Sequence, residues 1–261
     1  MTAAASAVQQ YPARYFDASP TWFRWNKLSA ADIYNLHEDP GFRGQNVWFW
    51  LSHPIQFIRI VGYVCQIDQV AGGRFILLTV DDGSGVNIEV KLERPVAYRE
   101  QNGAVYSTKT ILDNVEVMSN MGLPVVIIGK ARVDMGTVII AEGKVESYNQ
   151  SRQLIALRVG LVKDTNEEAI HWSKAADWKR KVLNKPWVLS SDQRAAIDAK
   201  LAETERAAAQ QSRRRKRKNA KIEELRRKHD EKIEAERKQR TEHYNQGALA
   251  GSHILKMPWD D

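Results

Sequence analysis

The chain has 261 residues, with 39 Lys and Arg against 32 Asp and Glu, 8 Trp and a single cysteine, Cys65. One thiol excludes an internal disulfide framework and a multi-thiolate zinc site. No apolar run approaches the roughly 18 residues of a membrane span, and the first residues lack a signal-peptide pattern, so a soluble protein of a reducing compartment is expected. The net charge of +7 lies almost wholly in residues 186–240, leaving about +2 for residues 1–185; a basic excess in the tail favours a polyanionic partner but says nothing of fold.

Residues 1–20 show no periodicity and are expected to be mobile. Residues 21–54 are rich in aromatic side chains. Within them Ser29–Asp39 reads as a short helix, with Ser29 as N-cap, Asp32 in the first turn and Pro40-Gly41 as the stop. From Ile55 the signal is β. IQFIRIVGYVCQIDQV is longer than an average strand, and Gly62 in its middle marks a bulge or sharp bend. Gly72-Gly73 ends it. RFILLTV, a DDGSG turn and VNIEVKL then form a hairpin in which Gly83 and Gly85 supply positive φ.

Residues 93–121 are mixed, with a short strand expected at Ile111–Val117, and a further apolar run, LPVVIIGKARV, follows. MGTVIIAEGKVESY and RQLIALRVGLV pair across Asn149–Ser151. Residues 165–185 switch to a helical period, with Thr165 and Glu168 in a capping-box pattern and Pro186 as the close. Residues 190–240 are mostly Ala, Glu, Lys, Arg and Gln without a sustained heptad; pairs such as Glu223–Arg227 and Glu224–Lys228 suit an exposed helix.

The expected fold is mainly β: a five-stranded OB-fold barrel with a C-terminal helix, followed by a long charged helical tail. The bent first strand serving both halves of a barrel favours this over a two-sheet sandwich. The expected divisions are residues 1–20, a barrel domain over 21–189, a basic single helix or coiled coil over 190–240, and a tail over 241–261.

Asp81 and Asp82 tempt a catalytic reading. Adjacent side chains at a strand end point to opposite sides, however, so the pair is badly placed to share a proton, and a turn is the better explanation. The six histidines lack HExxH spacing, and neither a phosphate loop nor GxSxG occurs. No enzyme, cofactor or metal is expected.

A single-strand binder of this fold combines cations with aromatic platforms. Candidates are Trp48, Trp50, Phe57, Arg59, Tyr63, Arg74, Lys91, Arg132, Lys144 and Arg158. Alternation puts Phe57, Arg59, Val61 and Tyr63 on one face, which reads equally as a stacking surface or as a solvated outer face. On the helix after the barrel, Ala169, Trp172, Ala176 and Leu183 form one stripe, and Ala175, Trp178 and Val182 form a second. Together they exceed the apolar width that one contact needs, so this helix is expected to meet both its own barrel and another chain. The block Arg213, Arg214, Arg215, Lys216, Arg217, Lys218 reads as a nuclear import signal rather than a merely solvated helix face.

The order and spacing of HPIQFIRIVGYVCQID, RFILLTVDDGSGVNIEVK, VDMGTVIIAEGKVESYNQSRQLIALRVGLVKDTNEEAIHW and VLNKPWVL resemble the fungal Stn subunit of the CST telomere-capping complex. The resemblance covers residues 20–190. It implies an OB-fold similar to the middle subunit of replication protein A, paired through the post-barrel helix with a small OB-fold Ten subunit. It further implies a third CST subunit, single-stranded G-rich telomeric DNA, limited end resection, regulation of polymerase α–primase fill-in, and a nuclear, telomeric location without membrane contact. It makes Met135–Tyr148 the fourth strand, Arg152–Lys163 the fifth, and residues 93–134 an insertion with strands at Ile111–Val117 and Pro124–Ile128. Better-known family members carry tandem winged helices, for which residues 190–261 are too short and too charged; the terminal HILKMPWDD is read as a docking motif or an untethered tail. The alternatives are a general RNA- or single-strand-binding OB protein and a protein-only scaffold.

Overall fold

The computed structural model describes residues 10–100 and 103–246. They fall into two compact units, divided between Ser190 and Ser191.

The first unit is organised by five strands: β1 (Phe57–Val70), β2 (Phe75–Asp81), β3 (Asn87–Glu93), β4 (Val138–Tyr148) and β5 (Ser151–Leu161). Their pairing order is β1-β4-β5-β3-β2, and β2 also pairs with β1. This is an OB-like arrangement, with β3 and β5 parallel and the other pairs antiparallel. One strand reaches both neighbours because it is long. β1 pairs with β4 over Phe57–Tyr63 and with β2 over Tyr63–Val70. The changeover lies at Gly62, where a Cβ would stand 2.3 Å from the Asp81 carbonyl oxygen, so only glycine lets β2 approach so closely. The inward positions Ile58, Ile60, Val64, Ile76, Leu78, Ile88, Val90, Ile139 and Leu154 form the core.

The strand limits differ slightly from expectation, β4 starting at Val138 and β5 running from Ser151 to Leu161. The insertion differs more. It holds a hairpin, Val96–Glu100 with Gly103–Tyr106, and a three-stranded sheet of Val115–Asn120, Leu123–Ile128 and Ala131–Val133. The strand expected at Ile111–Val117 therefore starts later. Thr110 receives the Leu112 amide and donates to the Leu112 and Val115 carbonyls, a turn that leaves Ile111 exposed. Val115, Val117, Val126, Ile128 and Val133 join the main core, so this sheet shares the packing of the five strands.

The helix expected over Ser29–Asp39 shortens to α1 (Ala30–Tyr34). Ser29 and Asp32 form a complete capping box, but His37 then pairs as a β-bridge with Phe49, which ends the helix early. The mobile N-terminus is corrected for its described part. Tyr11, Tyr15 and Phe16 are buried; Phe16 packs with Val47, Phe49, Trp22 and Phe42, and Tyr11 stacks edge-on against Trp187 at 5.0 Å. Residues 1–9 lie outside the described residues.

After β5 comes α2 (Thr165–Trp178), followed by a π-helical turn over Lys179–Leu183. Its cap is Asp164, which accepts from the Glu167 amide, while the Glu167 carboxylate accepts from the Lys163 amide; the cap expected at Thr165 thus falls one residue earlier, without the reciprocal bond of a box. The second unit contains α3 (Ser191–Gln246). Lys228 pairs with Glu224 at 2.8 Å, whereas Arg227 pairs with Glu231 rather than Glu223.

Candidate nucleic-acid and partner interfaces

Asp81 and Asp82 are occupied by the turn. Asp81 accepts from the Gly83 amide and from the Tyr63 hydroxyl, both at 2.8 Å, and these bonds hold its carboxyl below the ordinary value. Asp82 accepts from the Ser84 amide and, at 2.8 Å, from the Ala30 amide at the start of α1, while the Ser84 hydroxyl accepts from Ala31. The pair turns the hairpin and fastens α1 to it. Among the described residues, no group of three or more His, Cys, Asp or Glu is placed to hold a metal ion.

The ten expected nucleic-acid contacts separate into four sets. Trp48 is a core wall: it is 5% exposed, its Nε1 donates to the Val145 carbonyl, and Arg152 lies 4.5 Å above its ring. Trp50 is half-buried, donates to the Leu183 carbonyl at 3.0 Å and carries Lys179 at 5.3 Å, so it pins the end of α2. Burial leaves Trp48 no face on which to stack a base. Arg132 pairs with Asp134 on the insertion at 2.7 Å. Phe57, Arg59, Lys144 and Arg158 share one outer face, joined at its edge by the exposed Tyr63. Arg74 and Lys91 belong to another face.

That other face holds a cavity of about 320 Å³ over β2 and β3. Phe75 and Leu77 of β2, Lys91 of β3 and Gln153 of β5 line it, with Val70 at the end of β1, Ala71 from the turn before β2 and Tyr148 beside the β4–β5 turn. Arg74 and Lys91 lie over the Phe75 ring at 4.8 and 5.2 Å. This is the region of an OB-fold, the strand 2–3 face and its flanking loops, that takes oligonucleotides. Each cation already has an acidic neighbour: Arg74 pairs with Glu93 at 2.8 Å, and Lys91 pairs with Glu146. Phe75, Tyr148 and Gln153 escaped the sequence reading. Phe75 and Tyr148 had signals, as the aromatic residue after Arg74 and the one just before the Asn149–Ser151 turn, and Gln153 had none.

The two stripes on α2 have different fates. Ala175, Trp178 and Val182 are half-buried, and Trp178 packs on the core with Arg24 at 5.8 Å from its ring. Leu183 is fully buried, a correction to its place among the expected partner contacts. Ala169, Trp172 and Ala176 remain exposed, with Trp172 at 51% and Ile170 beside it. Lys179 anchors the helix through Asp32 at 2.6 Å. His171 is pushed down to about 4, first by burial and then by the positive charge of Arg59, Lys27 and Lys174. The basic block 213–218 is exposed on α3, and HILKMPWDD lies outside the described residues.

A family model described as telomere regulation protein Stn1 matches residues 34–101 and 125–244. The chain belongs to the Stn1 family. Protein stn1 of Schizosaccharomyces pombe is 27% identical over 161 residues, 62% of this chain and 41% of that protein, so the chain spans about two-fifths of the relative's length. A crystal structure of yeast Stn1 and Ten1 matches with a TM-score of 0.50 at 18% identity, covering 72% of this chain and 89% of that one; at this identity the likeness speaks for the fold alone. A structure of the S. pombe Stn1–Ten1 complex matches at 22% identity and a TM-score of 0.42, covering 62% and 95%. The Stn1 match passes over residues 102–124, which fall inside the insertion, and resumes within Leu123–Ile128, a strand whose Val126 and Ile128 complete the core.

Proposed function

We propose that this Stn1-family chain pairs through α2 with a small Ten-type OB-fold protein and carries single-stranded, G-rich telomeric DNA in the groove over β2 and β3. The observation that carries the reading is Trp172, a large ring half in solvent on a helix whose opposite side is docked on its own barrel. Ala169 and Ala176 beside it leave room for a second helix to approach. The ring of pairings among β1 to β5 is read as a closed five-stranded barrel, and α3 as a solvated, charged helical tail. In this reading the pair joins a third CST subunit, limits end resection and regulates polymerase α–primase fill-in. The block from Arg213 to Lys218 directs it to the nucleus.

The test is co-expression of the full chain with the Ten-type subunit of the same species. The pair is expected to co-elute, and Trp172→Ala is expected to separate it while the near-ultraviolet circular dichroism of the chain stays native. A pair untouched by the substitution would remove α2 as the interface. For the groove, Phe75→Ala is expected to weaken single-stranded DNA by about 1–3 kcal/mol, the range for one lost base stack. The ion pairs of Arg74 and Lys91 favour one second reading, a protein-only scaffold. Binding that weakens steeply with salt would exclude it.

A further inference from the structure

On the side of β4 and β5 away from the groove, cations form a track. Lys27, on a two-residue strand Asn26–Lys27 paired parallel with β1, stands opposite Arg59, Arg59 opposite Glu142, and Glu142 opposite Arg158, one row across four neighbouring strands. Beside it Lys144 stands opposite Phe57 and lies 5.2 Å over its ring. Trp25 packs edge-on against Phe57 at 5.2 Å and carries Arg158 at 5.7 Å. At the far edge, Arg24 lies over Trp178 of α2, near Lys174.

The row contains one carboxylate. Glu142 is 5% exposed and pairs with Arg59, with Arg158 at 3.9 Å. One negative charge therefore faces six positive ones, in a unit whose net charge is only about +2. Neither Lys27 nor Lys174 has an ion-pair partner among the described residues. Lys27 is held below the ordinary lysine value by burial, then by Arg59, Lys174 and Arg24. His171 is depressed first by burial and then by Arg59, Lys27 and Lys174, with Asp82 the one acidic group that opposes them. Like charges held this close cost free energy unless an anion joins them.

We infer that this outer face of β1, β4 and β5 is a second contact for a single-stranded nucleic-acid backbone, continuous with the groove. The inference rests on the groove reading given above. β5 is the border between the two surfaces: Ile155 pairs with Lys91 on the groove side and with Lys144 on the track side. Trp25 and Phe57 pack edge-on against each other beneath Arg158 and Lys144, whereas Phe75 carries cations but still lines the groove cavity, so the rings of the track hold cations in place and Phe75 is the one left for a base. The track therefore reads phosphate and not sequence. Its extent across four strands fits a polymer with charge at every unit better than a short acidic peptide. A strand too short to pass β5 touches the groove alone, and a longer one gains the track.

The test uses the full chain with single-stranded DNA of mixed sequence, about 8 and about 20 nucleotides long, lengths at the small end of and beyond one OB-fold's site. The variant Lys144→Glu with Arg158→Glu is expected to lose about tenfold or more in affinity for the longer strand. Its slope of log affinity against log salt is expected to fall by about 1.4, and the short strand should bind as before. Phe75→Ala is expected to weaken both lengths. In the wild-type chain, the longer strand is expected to shield Lys27, Lys144 and Lys174 from acetylation, and the shorter one to leave them reactive; this readout does not depend on the variant folding.

Unchanged affinity, salt slope and lysine reactivity with the longer strand overturn the inference while leaving the groove standing. Loss of the longer strand by the charge-reversed variant, with Phe75→Ala silent, keeps the track and removes the groove. No binding of either length by the wild-type chain overturns both. A variant that binds DNA normally but loses a polyglutamate peptide overturns the inference in favour of an acidic protein partner.

Discussion

A methyl group on Gly62 would stand 2.3 Å from the Asp81 carbonyl oxygen and 2.8 Å from its carbon. Both are backbone atoms of β2, so relief requires the strand pair to separate where β1 passes from one neighbour to the other. Gly62→Ala is expected to destabilise the fold by about 1–3 kcal/mol or more, read as a lower urea midpoint with an unchanged slope. Asp82 concerns a junction in a different way, since its two oxygens serve the hairpin turn and the first amide of α1. His171 gives the residue scale a pH signature. Its folded value of about 4 lies below the ordinary 6.5, so the unfolded chain takes up the proton first as pH falls. Its stabilising contribution is full above about pH 6.5 and is lost between there and about pH 4. At this half-buried position, with solvent screening discounted, the loss is on the order of 1 kcal/mol. Comparing wild type with His171→Gln at pH 7 and pH 4.5 isolates it; equal pH dependence in the two proteins would refute the assignment.

Among elements, α2 offers the sharpest contrast, because its two tryptophans have different surroundings. Trp178 packs against the core beneath Arg24, and Trp172 is half in solvent. Trp178→Ala is expected to cost about 2 kcal/mol, below the roughly 3–5 kcal/mol of a fully buried Trp. Trp172→Ala should leave the unfolding midpoint within about 0.5 kcal/mol of wild type, as a surface change does. Equal losses would mean that both rings belong to the first unit's own packing. The double width of this helix was legible in its period, and so were the long β1 and its glycine, because both signals are local. The N-terminal arm was not legible. Tyr11, Tyr15 and Phe16 stand in an aperiodic run, and the Tyr11 hydroxyl meets the amide of Leu189, 178 residues away. Trp48 misled for the same reason: its ring nitrogen serves a carbonyl 97 residues distant, as that of Trp50 serves one 133 residues away. No local pattern separates a tryptophan so engaged from one free to stack. Which outward positions share a face depends on strand register, and the sequence reading pooled the groove and the outer track for want of it.

At the scale of the molecule, the two units are held by different forces. Residues 1–190 bury a continuous apolar core, whereas α3 exposes nearly all of its length and is sustained by helix-forming residues and side-chain pairs at i,i+4. Each such pair is worth about 0.3–0.5 kcal/mol and is weakened by salt. A helix of 56 residues spreads its nucleation cost over many turns, but it has no buried layer to make its melting sharp. Heating is therefore expected to produce two signals. Helical circular dichroism at 222 nm should decline gradually, earlier at 1 M than at 0.1 M sodium chloride, as screening removes the pairs. The near-ultraviolet signal should fall in one cooperative step with little salt dependence. It reports the first unit, because no tryptophan lies between Ser191 and Gln246 and seven of the 8 lie in residues 1–190. A single coincident transition at both wavelengths would mean that α3 draws its stability from packing against another surface.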